Sequence, residues 1–178
     1  MEMNILHALQ ELHNPVLDSI MVFITSLGNA GAIWIVLSII FICIKKYRKC
    51  GITMAVALLI FGIFGNVIMK NVFARSRPCW IDDSVKMLIK IPKDYSFPSG
   101  HTSVSFAGAF AIFLYYKKAG IAAFVLASLI AFSRLYLFVH YPTDVAAGVL
   151  IGLLCAAASF FIVKKIYERK FEMVKQYL

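Results

Sequence analysis

Three stretches of this chain gather residue types that can handle a phosphate. The first, Lys70-Asn71-Val72-Phe73-Ala74-Arg75-Ser76-Arg77-Pro78, closes a long apolar run and carries Lys70 and Arg77 seven residues apart. On a continuing helix that spacing puts both on one face, with a drift of only about 20°. Two fixed cations on one face suit a phosphate, although Pro78 disfavours helix at Arg77 itself. The second, Pro98-Ser99-Gly100-His101, stands directly before another apolar run. The unpaired N–H groups of a helix start make an anion site. Ser99 offers a cap or a hydroxyl, Gly100 lets an oxyanion approach the backbone, and His101 falls in the first turn facing the same spot. The third runs from Ser133-Arg134 to His140-Tyr141-Pro142-Thr143-Asp144. Pro142 fits the first position of a helix, so Asp144 falls in the first turn, where the dipole favours a carboxylate. From there it can reach back to His140, accept the imidazole N–H and leave the other nitrogen free to attack. Arg134 adds a planar fork for phosphate oxygens. Each stretch also has an ordinary reading. These are cations snorkelling to headgroups, a helix cap beside an incidental histidine, and a buried ion pair between Arg134 and Asp144.

The elements that position these residues are apolar helices. Hydrophobic residues make up 61% of the 178 and charged residues 15%, with a mean hydropathy of +0.83. A soluble domain averages about a quarter charged, so lipid is the natural solvent here. Residues 19–44, 51–69, 95–116 and 145–163 hold no Asp, Glu, Lys or Arg, and Ala119 to Val139 holds only Arg134. A spanning helix needs roughly 20 such residues. The expected fold is all-α, a single membrane-embedded domain over 1–178 built as a six-helix bundle. Gly28, Asn29 and Gly31 break the first run. The helices then cover about Pro15 to Leu27, Ala30 to Ile44, Gly51 to Phe73, Ser99 to Tyr116, Ala119 to Phe138 and Pro142 to Ile166, with a short interfacial helix over residues 4–13. Gly148 and Gly152 form a G-x-x-x-G, read as intramolecular packing rather than a dimer face. Gly62 and Gly65 are expected to do the same. The start lacks the basic region of a cleaved signal peptide, so the first helix is expected to remain as an anchor.

The net charge of +9 does not point to nucleic acid, because the basic residues lie between the apolar runs and serve topology. One side of the expected bundle carries Lys45, Lys46, Arg48, Lys49, Lys117, Lys118, Lys164, Lys165, Arg169, Lys170 and Lys175; the other carries Lys70, Arg75, Arg77, Lys86, Lys90, Lys93 and Arg134. The three lysines of the long loop are balanced by Asp82, Asp83 and Asp94. The richer side, with the C-terminus, should be cytoplasmic, which turns the three motifs outward. Cys43, Cys50, Cys79 and Cys155 have the spacing of neither a zinc site nor a disulfide framework. No carboxylate cluster suggests Mg²⁺ or Zn²⁺ ligation.

Taken together the motifs read K-x6-R-P, P-S-G-H and S-R-x5-H-x3-D. With Lys70, Arg77, Pro78, Pro98, Ser99, Gly100, His101, Ser133, Arg134, His140 and Asp144 at the signature positions, the chain resembles the type 2 phosphatidic acid phosphatase superfamily of membrane lipid phosphatases. The resemblance implies a metal-independent hydrolase without a cofactor. His140 would be the nucleophile that forms a phosphohistidine, Asp144 its orienter, and His101 the acid and then the base. Lys70, Arg77, Ser99, Gly100 and Arg134 would bind the phosphate. It implies a lipid phosphate substrate in the bilayer and no obligatory protein partner. Undecaprenyl diphosphate is the favoured substrate, with phosphatidylglycerophosphate or phosphatidic acid as the alternative. The loop Cys79 to Phe97, with Trp80 and Tyr95, is the expected headgroup reader. Vanadium-dependent haloperoxidases share such a site, but they are soluble and much longer. A non-catalytic transporter or scaffold would have no need of an intact nucleophile, orienter and acid.

Overall fold

A computed structural model describes the backbone of residues 1–176 and the side chains of residues 1–169. The side chains of Lys170 and Lys175, counted above toward the basic side, lie outside the described residues. Nine α-helices are present among them: α1 Glu2–Gln10, α2 Pro15–Leu27, α3 Ala32–Cys43, α4 Arg48–Phe61, α5 Lys70–Phe73, α6 Pro78–Ile81, α7 Gly100–Tyr115, α8 Lys117–Tyr136 and α9 Pro142–Gln176. No strand occurs among the described residues. Local sequence explains the boundaries. Asn14 caps α2 by accepting from the Leu17 N–H at 3.0 Å, with Pro15 in the first turn. The glycine-rich break after α2 becomes a tight turn in which Ala30 (φ 50°) and Gly31 (φ 71°) both adopt left-handed backbone. Helix α3 therefore starts at Ala32, two residues later than the sequence suggests, and leaves α2 at a 43° bend.

Arg48–Ile81, Lys117–Tyr136 and Pro142–Arg169 are each long and apolar enough to cross a membrane, and the bent pair Pro15–Leu27 with Asn29–Cys43 raises the number to four if it is one span. Large apolar side chains such as Phe23, Val36, Leu59, Phe64, Leu150 and Phe161 stand exposed on the outside. That much apolar surface is foreign to a water-facing domain.

Helix α7 is the hub, packing against α8, α9 and α4. Its small residues permit this: Ser103, Ala107, Gly108 and Ala111 are buried, the Trp34 ring lies directly against Gly108, and Trp34 Nε1 donates to Ser105 Oγ at 3.0 Å. The G-x-x-x-G of α9 packs on the same helix. A Cβ at Gly148 would meet the Ser99 carbonyl oxygen at 3.0 Å, and one at Gly152 would press on the Ser103 carbonyl oxygen and the Ala107 nitrogen. The intramolecular reading of those glycines holds. Gly62 and Gly65 differ from expectation. Gly65 sits under the ring of Phe61 in its own segment, and Gly62 has nothing within 4 Å. The cause is a π-helical stretch, Gly62–Met69, inserted between α4 and α5, which rotates both positions away from a neighbouring helix. Gly152→Val should accordingly destabilise the protein by about 1–3 kcal/mol, the usual cost of overpacking, while Gly62→Ala should leave it within about 0.5 kcal/mol. Thermal unfolding in detergent micelles would measure both.

The helices hold two chemically different ends apart. Asp144 opens α9, and Lys164 lies 20 residues further along it, about 30 Å at 1.5 Å per residue. At the Lys164 end, Tyr116 donates to the Lys46 carbonyl at 2.9 Å and Lys49 stands over the Tyr167 ring. At the Asp144 end the three motifs meet.

Candidate active site

Lys70, Arg77, His101, Arg134 and His140 line one cavity of about 970 Å³. Lys70 and Arg77 converge, but not along one helix face. Helix α5 stops at Phe73, Ala74 takes left-handed backbone (φ 42°), and Arg77 is extended (φ −81°, ψ 153°) as the residue preceding α6. Pro78 explains this, since it excludes helix at the residue before it and favours the first position of the next one. Both cations nonetheless close on Asp94. Lys70 Nζ donates to Asp94 Oδ2 at 2.5 Å and Arg77 Nη2 donates to Oδ1 at 2.8 Å. Burial alone would lift the Asp94 carboxyl, but the Lys70 hydrogen bond and the Arg77 and Lys70 charges outweigh it and hold its pKa at about 2.

His140 lies buried in the link between α8 and α9. Arg77 Nη1 is 3.1 Å from its Nε2. A guanidinium can only donate, so Nε2 must be the acceptor and the imidazole proton sits on Nδ1. That nitrogen faces Ser96 Oγ at 3.3 Å and Asp144 Oδ2 at 3.5 Å. Ser96 in turn donates to Asp144 Oδ2 at 2.5 Å, so the Nδ1 proton meets Ser96 first and the carboxylate through it. Burial, reinforced by the positive charges of Arg77 and Arg134, pushes the His140 pKa well below the ordinary histidine value. The imidazole is therefore neutral at pH 7, with its Nε2 lone pair accepting from Arg77.

Asp144 sits in the first turn of α9 after Pro142 and is fully buried. Its Oδ2 also accepts from the Tyr141 N–H at 2.9 Å. Its cation is not Arg134. Arg75 Nη1 donates to Oδ1 at 2.5 Å, Arg75 Nη2 donates to Glu2 Oε2 at 2.7 Å, and the guanidinium lies 4.0 Å from the centre of the Tyr141 ring. Arg134 instead donates to Thr25 Oγ1 from Nη1, and its buried Nε has no partner. His101 opens α7 with Nε2 3.1 Å from Asn29 Oδ1. Ser99 precedes α7 without capping it through its side chain, and its buried hydroxyl accepts from Thr102 at 2.9 Å. Gly100 lines the cavity, whereas the Ser99 hydroxyl is turned into the α7 packing. His7 and His13 lie apart from the cavity, beside Asp82 and Asp18 respectively.

Four residues of this arrangement stand at none of the signature positions: Arg75, Asp94, Ser96 and Glu2. Arg75 lies in the first motif, two residues before Arg77, where backbone turned extended can give each its own carboxylate. Asp94 and Ser96 lie in an irregular loop without periodicity. Arg75→Ala is expected to lower kcat about tenfold while changing KM less than about twofold, because the residue acts on the orienting carboxylate rather than on substrate. Arg75→Lys should recover part of the loss. Steady-state kinetics of the purified protein checks this.

Among the described residues no group of three or more His, Cys, Asp and Glu side chains is placed to hold a metal ion. The four cysteines are free thiols. Residues 50–168, most of the chain and all three motifs, match the family profile of the PAP2 superfamily. This chain belongs to the PAP2 superfamily. It is 36% identical over 137 residues to an undecaprenyl-diphosphatase of Sulfolobus acidocaldarius, a match that takes in 76% of this chain and 66% of the relative, just under two thirds of that protein's length. It is 33% identical over 174 residues to phosphatidylglycerophosphatase B of Bacillus subtilis, covering 89% of this chain and 79% of the relative. Among solved structures it superposes on a transmembrane PAP2 type phosphatidylglycerolphosphate phosphatase from Bacillus subtilis with a TM-score of 0.72 at 29% identity, covering 93% of this chain and 84% of the other. The chain is an all-helical, multi-pass membrane member of this superfamily.

Proposed function

We propose that this chain is a metal-independent membrane phosphatase that removes the terminal phosphate of a lipid phosphate or diphosphate, with undecaprenyl diphosphate as the favoured substrate. One observation carries the reading: the neutral His140 lines the same cavity as Lys70, Arg77, Arg134 and His101 and keeps its Nε2 unprotonated, accepting from Arg77. In the first step Nε2 attacks phosphorus and the bond to the leaving oxygen breaks. His101 gives that oxygen a proton, and Asp144, with Ser96, stabilises the charge on the phosphorylated imidazole. In the second step His101 takes a proton from water, the water oxygen attacks phosphorus, and the N–P bond breaks to free inorganic phosphate and neutral His140. Lys70, Arg77, Arg134 and the Gly100 N–H hold the oxyanions throughout. A tail has room as well, since the same cavity runs on to the apolar side chains of Val22, Ile35, Leu58, Phe61 and Val104.

In the membrane the bent pair α2 and α3 makes one crossing rather than two, because the chain's start is held at the site end, with Glu2 on Arg75 and Thr143 and Asp18 on Tyr136. With α4 continued through α5, α7, α8 and α9 the chain then crosses five times. The site faces outward and the C-terminus the cytoplasm. The clustering of Lys46, Lys49 and Lys164 at the end opposite the site supports that orientation. The preference for undecaprenyl diphosphate rests on the relatives' names and on the apolar extension of the cavity. Phosphate release from undecaprenyl diphosphate, phosphatidylglycerophosphate and phosphatidic acid by the detergent-solubilised protein tests it. The expected result is fastest release from the diphosphate, unchanged by chelators. Equal rates on all three would instead make this a broad-specificity enzyme, and no release from any would leave a transporter or scaffold.

A further inference from the structure

The carboxylate of Asp94 sits between the two cations proposed to hold the substrate phosphate. Its two oxygens bridge Lys70 and Arg77 as two non-bridging phosphate oxygens would. The cations are enclosed, at 5% and 2% exposure, whereas Asp94 is 55% exposed. The carboxylate therefore enters from the loop side and covers a cationic floor. The backbone of the same loop reinforces the placement, with the Asp94 carbonyl accepting from Arg77 Nε at 2.7 Å and the Tyr95 carbonyl from Lys70 Nζ at 2.7 Å. Arg134 takes no part, and its buried Nε stays unpaired. An incoming phosphate thus meets Lys70 and Arg77 already occupied by a carboxylate.

We infer that Asp94 is a specificity-determining residue: its carboxylate competes with the substrate for Lys70 and Arg77 and restricts the site to terminal phosphates against the phosphodiester headgroups of the surrounding bilayer. The inference rests on the proposed phosphatase reading. A phosphodiester carries one negative charge, so displacing Asp94 with it merely exchanges one monoanion for another. A terminal phosphate carries close to two charges at pH 7 and three strong acceptor oxygens. It can satisfy Lys70, Arg77 and Arg134 together. The carboxylate stays ionised throughout the physiological range, so only a better anion removes it.

The test compares the full-length protein with Asp94→Asn and Asp94→Glu in detergent micelles. Binding of inorganic phosphate and of dimethyl phosphate, a monoanionic diester, is read by calorimetry. Phosphate release from phosphatidic acid is read with and without phosphatidylglycerol. Asp94→Asn should bind both anions more tightly, with the diester gaining at least about tenfold over the monoester, the scale of one charged hydrogen bond. Its turnover should become inhibited by phosphatidylglycerol at a mole fraction that leaves the unaltered protein unaffected. Asp94→Glu keeps the carboxylate and should keep the original ratio. A diester-to-monoester ratio that moves in neither variant, or equally in both, overturns the inference. Anion binding without phosphate release from the unaltered protein would defeat the phosphatase reading and leave the Asp94 competition standing.

Discussion

Replacing His140 with alanine should lower phosphate release by at least about 10⁴-fold, the scale on which removal of an enzyme nucleophile acts. The structure makes the expectation specific. Nε2 is the imidazole nitrogen that accepts from Arg77, a cation of the cavity lining, and Nδ1 is committed to Ser96 and Asp144. No other side chain lining the cavity combines an unprotonated nitrogen with a relay behind it. His101 has a nitrogen there, but its Nε2 faces an asparagine oxygen rather than a carboxylate. His140→Ala should still bind inorganic phosphate, because the cations are untouched. Turnover and phosphate binding measured on the same preparation separate loss of chemistry from loss of fold. Retention of more than a tenth of the original rate would remove His140 from the mechanism.

Asp144→Asn should have the second largest effect, a fall in kcat of about 10³–10⁴-fold with a much smaller change in KM. An orienting carboxylate replaced by its amide costs that much in other histidine-dependent sites. Here the buried carboxylate accepts from Arg75, Ser96 and the Tyr141 N–H, and lies beside His140 Nδ1. An amide loses the negative charge that balances Arg75 and the phosphorylated imidazole. One of its two positions must also present an N–H to groups that already donate, which leaves donors facing each other in a buried place. Steady-state kinetics of Asp144→Asn beside Arg75→Ala orders the two contributions. The carboxylate is expected to matter at least about tenfold more than the guanidinium that supports it.

Which polar residues gather was more legible in the sequence than the route by which the chain assembles them. His140, Asp144, His101, Lys70, Arg77 and Arg134 are rare polar side chains at the ends of apolar runs, where their placement is expensive and so informative. Pro142 also marked the helix start that carries Asp144. What failed were inferences that carried regular helix geometry across a local break. Lys70 and Arg77 look like neighbours on one helix, yet a left-handed Ala74 and an extended Arg77 intervene, and a π-helical stretch shifts Gly62 and Gly65. Arg134 and Asp144 look like a natural ion pair, yet Arg75 reaches the carboxylate and Arg134 turns to Thr25. Asp94 and Ser96 were invisible for a different reason. A loop without periodicity gives no rule for which side chain points inward, and in charge counting Asp94 only cancels a lysine. The N-terminal helix α1 was expected as an interfacial segment, but nothing in its pattern ties Glu2 to Arg75 and Thr143.

The proposed mechanism passes through a covalent bond between phosphorus and His140, and one measurement reaches that bond. A lipid diphosphate labelled in its terminal phosphate is mixed with His101→Asn protein and quenched within milliseconds to seconds. The departing lipid phosphate needs little help from an acid, while the second step has lost its base, so the intermediate should accumulate. A phosphohistidine at His140 gives protein-bound label that survives alkali, is lost in acid and maps to His140, and that is absent when His140→Ala is added to the same protein. Label on another residue, or release of labelled phosphate in the first turnover with no protein-bound label at any time, would contradict it.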